Sequence, residues 1–213
     1  MGRSYGQVFR LESETPSVEG CTISREVTGG ATYFALGAGT SISPESHPEA
    51  KLVLVTTGEL TASVDDKDHA VRAGEALLVP AGALFGVEAG PDTGYVDFGC
   101  EGANMDKQGI EAGVAQELAG LAPYQDGVIV NRDVLRTPGM KLVVMAFDEG
   151  CALSEHAAPG EALVMALDGE ATITYEGVEN KVRAGECFRF AKGGRHAVKA
   201  DTRFKMALAV GLA

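Results

Sequence analysis

Side chains able to do nucleophilic or metal chemistry are few and widely spaced in this sequence. Its cysteines stand far apart, with no Cys-x-x-Cys pair: Cys21, Cys100, Cys151 and Cys187. In a reducing compartment this spacing favours free thiols over disulfides or a zinc cluster. Cys187 has no base beside it in sequence, so an inert buried thiol is favoured over a nucleophile.

Two arginines and one histidine are further polar residues whose role has to be considered. Arg189 and Arg195 could clamp a carboxylate, because the planar guanidinium matches that group; surface ion pairs are the alternative. His69 belongs to the charged segment Asp65–His69, which is typical of a solvated hairpin turn.

The charge of the chain excludes some partners. Lys and Arg number 18 against 30 Asp and Glu, a formal net charge of −12. Basic residues are scattered, so neither nucleic acid nor an anionic membrane is an expected partner. No signal-peptide pattern and no 18-residue apolar run is present. We expect a cytoplasmic protein with a small-molecule ligand, which could form a homodimer.

The sequence contains one unit written twice. Val71–Glu75 and Val182–Glu186 are the same pentapeptide, VRAGE. The offset that brings these two segments into register also relates the turn glycines Gly58 and Gly169. This offset is far longer than the period of solenoid repeats, which is about 20 to 50 residues, so each copy is predicted to be a small domain. We place the domains at 1–103 and 121–213, with a linker at 104–120 that has a short helical pattern.

The elements that must position these side chains are short strands. Segments such as 51–57, 141–147 and 162–167 are apolar and β-branched, and glycines separate them. Glu176 and Gly177 form a typical hairpin turn signal. Many short, evenly spaced strands favour a barrel or jelly roll, which protects sheet edges. The predicted fold is all-β, with two tandem jelly-roll barrels and a short linker helix.

The second copy resembles a known family. It reads GCALSEHAAPGE from Gly150 to Glu161 and AKGGRHAV from Ala191 to Val198. This pattern is similar to the two cupin motifs, and the resemblance covers most of both copies, so the chain looks like a bicupin. The resemblance implies a divalent metal, such as iron, manganese, nickel or zinc, held inside the barrel by histidines and a carboxylate.

The resemblance carries over to only some residues of the second copy. His156 and His196 match motif histidines, while Ala158 stands where another histidine is usual. The motif glutamate position is Ala162, and Glu161 is its neighbour. Since adjacent strand residues face opposite sides, Glu161 reaches the interior only if a bulge shifts the strand. The metal ligands implied are His156, His196 and Glu161.

The first copy departs further from the motif. Glu45 and Phe85 stand where the second copy has His156 and His196, and Lys51 replaces the glutamate. His47 falls on an alanine position. A charged ammonium and a phenyl ring are not metal ligands, so we expect no metal in this barrel.

Ligand binding is therefore predicted for the second barrel. Its candidate ligand-binding residues are Arg189, Arg195, Met145 and Phe190, although the apolar ones could simply be packed core. Three functions stay open: a small-molecule-binding bicupin, a metal-dependent oxygenase or isomerase, and a non-catalytic sensor or structural protein. One fold can host all three.

Overall fold

The structure, a computed structural model, describes residues 4–103 and 109–212. These residues are almost wholly β-strand, with one α-helical turn, α1 (Leu11–Glu14), and one 3-10 helix (Leu118–Leu121). The all-β prediction is confirmed. Among the described residues, no helix has the length and apolar character that crossing a membrane requires.

The chain divides into two compact units. The first barrel is Leu11–Leu118; the second barrel takes the described chain up to Arg10 and from Ala119 onward. Strands of the first barrel are β2 (Thr22–Thr28), β3 (Ala31–Leu36), β4 (Ser41–Ser46), β5 (Lys51–Thr57), β6 (Glu59–Val64), β7 (Lys67–Arg72), β8 (Glu75–Val79), β9 (Leu84–Ala89), β10 (Thr93–Gly99) and β11 (Ala115–Glu117). Strands of the second barrel are β1 (Val8–Phe9), β12 (Ile129–Arg136), β13 (Met140–Phe147), β14 (Ala152–Ala157), β15 (Ala162–Asp168), β16 (Glu170–Tyr175), β17 (Val178–Arg183), β18 (Cys187–Phe190), β19 (Arg195–Ala200) and β20 (Phe204–Gly211).

Each barrel is built from a six-stranded and a four-stranded sheet. The orders are β11-β8-β5-β10-β3-β2 and β4-β9-β6-β7 in the first barrel, and β1-β18-β15-β20-β13-β12 and β14-β19-β16-β17 in the second. The strand register repeats as well. Tyr95 pairs with Phe34 in the first copy, and Met206 pairs with Met145 at the equivalent positions of the second copy. The sequence duplication is therefore a structural duplication.

Each barrel contains one short strand that comes from outside the sequence copy that forms the rest of that barrel. Val8 and Phe9 of β1 pair with Phe188 and Cys187 of β18. In the first barrel, β11 pairs with β8. The structure thus groups β1 with the second barrel, whereas the boundaries 1–103, 104–120 and 121–213 remain a prediction about independently folding domains. Residues 104–108 of the linker lie outside the described residues, and the helix in the rest is the single 3-10 turn.

Hairpin turns follow the sequence signals. Asp65 and Asp66 have φ of 49° and 63°, and Glu176 and Gly177 have 48° and 80°. Positive φ at both central residues is the type I′ hairpin geometry that matches strand twist. The expectation for His69 is wrong in detail, because His69 lies on β7, half-buried, opposite Ala62.

Candidate functional site

The second barrel brings its two motif histidines together. His156 on β14 is directly opposite His196 on β19, and their ring centroids are 4.2 Å apart. Each ring makes a hydrogen bond to the backbone carbonyl two residues before it: Nδ1 lies 2.9 Å from the Ser154 carbonyl in His156 and 3.1 Å from the Gly194 carbonyl in His196. Because a carbonyl only accepts, Nδ1 donates in both contacts and Nε2 keeps its lone pair in the neutral ring.

The two histidines differ in environment. His156 is exposed, whereas His196 is buried and stacks on Phe190 with 3.9 Å between ring centroids. Burial lowers the pKa of His196, a hydrogen bond to the Gly194 carbonyl opposes this, and the nearby His156 lowers the pKa further. Because its pKa is lowered, the buried imidazole of His196 is neutral near pH 7. Tyr175 lies opposite His196 on the neighbouring strand, so the imidazole lies within an aromatic cluster.

The third predicted metal ligand does not join the pair. Glu161 is half-buried and accepts a hydrogen bond from the Tyr5 hydroxyl at 3.2 Å. Across residues 4–103 and 109–212, no group of three or more His, Cys, Asp or Glu side chains is arranged to hold a metal ion. Catalytic metals usually take about three protein ligands, so the two imidazoles alone do not fit the metal that the fold implies.

The predicted ligand-binding residues of the second barrel have separate surroundings. Met145 and Phe190 belong to its packed core. Arg189 is fully buried, with its guanidinium carbon 4.1 Å from the centroid of the Phe9 ring. Arg195 is exposed and forms an ion pair with Glu155. Of these four side chains, Phe190 is the one that stacks on the histidine pair, against His196.

A pocket of about 180 Å³ lies in the first barrel instead. Five strands contribute its lining, namely β3, β4, β5, β9 and β10. The lining residues are Phe34, Ile42, Ser43, Glu45, His47, Lys51, Phe85, Gly86, Val87, Tyr95 and Asp97. Three of them, Glu45, Lys51 and Phe85, occupy the positions that correspond to the motif ligands. These positions therefore line the pocket, but with other residue types than the motif has.

An ion pair between Lys51 and Asp97 forms part of the polar lining of the pocket. Lys51 Nζ lies 2.9 Å from Asp97 Oδ2, and the two side chains are 24% and 13% exposed. Lys51 shares its strand face with the core residue Val53, and Asp97 shares its own with Tyr95, so both positions face inward. Asp97 Oδ1 is buried and has no hydrogen-bond partner among the residues that the structure describes. The carboxylate thus keeps one acceptor unsatisfied.

Aromatic and aliphatic side chains form most of the rest of the wall, together with Ser43, Glu45 and His47. Phe34 and Tyr95 stack with ring centroids 4.9 Å apart and planes 7° from parallel. Burial, and then the charge of Asp97, raise the pKa of Tyr95 above its ordinary value, so its hydroxyl stays protonated. An apolar wall with a few placed polar groups is typical of small-molecule sites.

The ion pair is peculiar to the first copy. At the offset that relates the two copies, Lys51 and Asp97 correspond to Ala162 and Leu208. The strand pairing agrees, because Asp97 lies opposite Val53 as Leu208 lies opposite Val164. Lys51 is recognisable from the sequence as the residue that replaces the motif glutamate, whereas Asp97 was not predicted as a site residue. The signal was available in the same comparison, as a charged residue aligned with an apolar one.

Comparisons with known proteins agree with the fold. The family model described as "Cupin domain" matches residues 32–93 and 143–210. A search of curated proteins finds no match.

Among solved structures, a Cupin 2 conserved barrel domain protein from Leptotrichia buccalis is similar at 24% identity. The match covers 98% of each chain, and the TM-score is 0.85. A mutant of the salicylate 1,2-dioxygenase from Pseudoaminobacter salicylatoxidans matches at 11% identity, over 96% of this chain and 83% of that one, with a TM-score of 0.68. At these identities the two structures show the shared fold.

Proposed function

Because this chain belongs to the cupin domain family, we propose that it binds a small organic molecule, and we assign the binding site to the first-barrel pocket. Prediction from sequence favours the second barrel, which stays an untested alternative. The observation that carries our proposal is the Lys51–Asp97 pair, an ion pair that lines a pocket whose wall is otherwise largely aromatic and aliphatic.

The pair is not explained by the needs of the fold. Removing charges from water costs free energy, and apolar residues of similar size often stabilise a protein as well or better. The second barrel has the same sheet with Ala162 and Leu208 at these positions. Polar groups retained in a pocket despite that cost are candidates for function.

A variant that copies the second barrel tests this proposal. The full chain with Lys51→Ala and Asp97→Leu has the residues that the second barrel already accommodates. A matched control is the Lys141–Asp133 pair, which also has a 2.9 Å contact and a lysine side chain 26% exposed. The control variant is therefore Lys141→Ala with Asp133→Leu.

Ligand-observed NMR with a defined library of small molecules gives the measurement. We expect at least one library member to bind the wild-type chain and the control variant, and to lose binding in K51A/D97L. Thermal melting of each variant checks that it folds. If every library member that binds the wild type binds K51A/D97L equally well, the first-barrel pocket is not the site.

Metal-dependent oxygenase or isomerase activity has less support. The adjacent imidazoles of His156 and His196 favour it, and the lack of a third ligand among the described residues opposes it. Elemental analysis of protein purified without a metal-affinity step decides the point. Stoichiometric metal that is lost in H156A/H196A, and kept in H47A, would establish a metal site in the second barrel.

A further inference from the structure

The lining of the first-barrel pocket includes a primary amine, that of Lys51. We infer that Lys51 forms a Schiff base with a small aldehyde or ketone that enters this pocket, and that Asp97 accepts the proton that the amine must lose. This inference rests on the proposed function of the same pocket and goes beyond it, because it gives the bound molecule a reactive group and the protein a covalent step.

The amine is placed where a molecule in the pocket meets it. Lys51 begins β5, whose neighbours in the six-stranded sheet are β8 and β10. Its side chain lines the pocket and is about three-quarters buried. Lysines that form Schiff bases in proteins are typically withdrawn from bulk water in this way. The equivalent residue of the second barrel is Ala162, so the fold itself does not require an amine at this position.

A proton acceptor contacts the amine. Lys51 Nζ donates a hydrogen bond of 2.9 Å to Asp97 Oδ2, a distance typical of a nucleophile and its general base. The two residues lie on the paired strands β5 and β10, so the sheet holds them together. An ammonium group cannot attack a carbonyl carbon until it has lost a proton. Asp97 Oδ2 is positioned to receive that proton.

The covalent step balances without a further reagent. The Lys51 ammonium gives one proton to Asp97 Oδ2, and the nitrogen lone pair forms a bond to the carbonyl carbon. A second N–H proton moves to the former carbonyl oxygen, which gives a carbinolamine. The protonated Asp97 then returns its proton to that hydroxyl, which leaves as water while nitrogen and carbon form a double bond. The resulting iminium keeps the positive charge of the lysine, so it stays paired with the Asp97 carboxylate.

A second ion pair provides an internal reference. Lys141 Nζ also lies 2.9 Å from a carboxylate oxygen, that of Asp133, and the lysine side chain is 26% exposed. Neither residue lines the first-barrel pocket. The two amines thus have the same kind of partner at the same distance. Faster reaction at Lys51 therefore measures what the pocket adds by holding the carbonyl compound beside the amine.

Reductive trapping of the full chain tests the inference. The wild-type chain is incubated at about pH 7 with sodium cyanoborohydride and benzaldehyde, cyclohexanone or acetaldehyde. Peptide mapping by mass spectrometry then gives the rate of alkylation at each lysine. We expect at least one of these probes to label Lys51 at least about tenfold faster than Lys141. Both lysines belong to the same molecule, so this comparison does not depend on a variant that folds.

Two variants check the roles of the pair. Lys51→Arg keeps the cation beside Asp97 and cannot form an imine, so the label at position 51 should disappear while Lys141 keeps its wild-type rate. Asp97→Asn keeps the shape and removes the proton acceptor, so labelling of Lys51 should slow at least about tenfold. Thermal melting checks that each variant folds. An equal or higher rate in D97N would show that Asp97 is not the proton acceptor.

The inference and the proposed function fail in different ways. If no probe labels Lys51 faster than Lys141, Lys51 does not form the Schiff base and the inference is wrong. A library member that binds the wild type and not K51A/D97L would then still establish the pocket as a noncovalent binding site. If the library also shows no such member, both the inference and the proposed function are wrong.

Discussion

At the scale of single residues, one position shows how the two barrels have diverged. Phe85 in the first barrel and His196 in the second are equivalent, and both are largely buried. Phe85 lines a pocket, whereas His196 stacks within an aromatic cluster beside His156. A buried imidazole differs from a buried phenyl ring mainly in that it can take up a proton.

This difference predicts a pH-dependent stability. The unfolded imidazole takes a proton near pH 6.5, while burial holds the folded pKa of His196 below that value. Between those two values the unfolded state binds more protons, so the free energy of unfolding decreases as the pH falls. The stability that neutral His196 provides is fully present above about pH 6.5. It is lost as the pH falls from there through the lower pKa that His196 has in the folded state.

Urea unfolding of the wild type and His196→Phe at about pH 7.5 and about pH 5.5 measures the effect. The substitution copies Phe85, so we expect it to fold and to lose less stability at the lower pH than the wild type. His69→Gln, on a half-buried strand residue of the first barrel, is the control and should keep the wild-type pH dependence. Equal losses in wild type and H196F would contradict the prediction.

Which residues belong to the candidate sites could be predicted from the sequence better than which residues contact each other. The pairing of His156 with His196 follows from motif positions on two strands, and the structure brings them together. Lys51 and Asp97 are 46 residues apart on different strands, with no motif that links them. Their contact depends on strand order within the six-stranded sheet, which local sequence patterns do not specify.

At the scale of elements, tight turns repeat in both copies and limit what can replace a glycine. Gly58 and Gly169 have φ of 70° and 71°, at equivalent turns. A methyl group added at Gly169 would overlap the carbonyl oxygen of Arg203. Gly177 also has a positive φ, of 80°, but a methyl there meets nothing within 4 Å.

We therefore expect Gly169→Ala to destabilise the chain more than Gly177→Ala. A non-glycine residue at positive φ costs about 1–2 kcal/mol, and Gly177→Ala should cost no more than this. Gly169→Ala should cost more than this, because the backbone at Arg203 must also move to make room for the methyl group. Denaturant midpoints of the two variants test the order, and equal midpoints would show that the loop at Arg203 relaxes freely.

Turns and strands were the elements that sequence predicted best. Glycine spacing and the constant offset between the copies mark where strands end, because few residues other than glycine adopt positive φ without cost. The short strands β1 and β11 were not predicted. Such short segments carry too little periodicity to be recognised, and their pairing with β18 and β8 is decided by the sheet edges that they cover.

At the scale of the whole molecule, the second barrel depends on a segment far away in sequence. Residue Phe9 of β1 pairs with Cys187 and lies against the fully buried Arg189. Deleting residues 1–10 would expose the edge of β18 and one face of that guanidinium. We expect the second barrel to lose stability, while the first barrel keeps all its strands.

Hydrogen exchange on the full chain and the deletion variant separates the two barrels. Amides of β15 and β18 should exchange faster after the deletion, and those of β5 and β8 should keep their wild-type rates. Unchanged exchange in β18 would show that β1 adds nothing to the stability of the sheet edge.

The placement of β1 also fixes an order of events during synthesis on the ribosome. Ala115 of β11 follows its partner Leu77 by only about 40 residues, so the first barrel can close its sheet edge soon after that edge emerges. Val8 is made about 180 residues before its partner Phe188. At about 5–20 residues per second, β1 waits roughly 10 to 40 seconds without its partner strand. The second barrel can therefore close this sheet edge only after β18 has emerged, long after β1 was made.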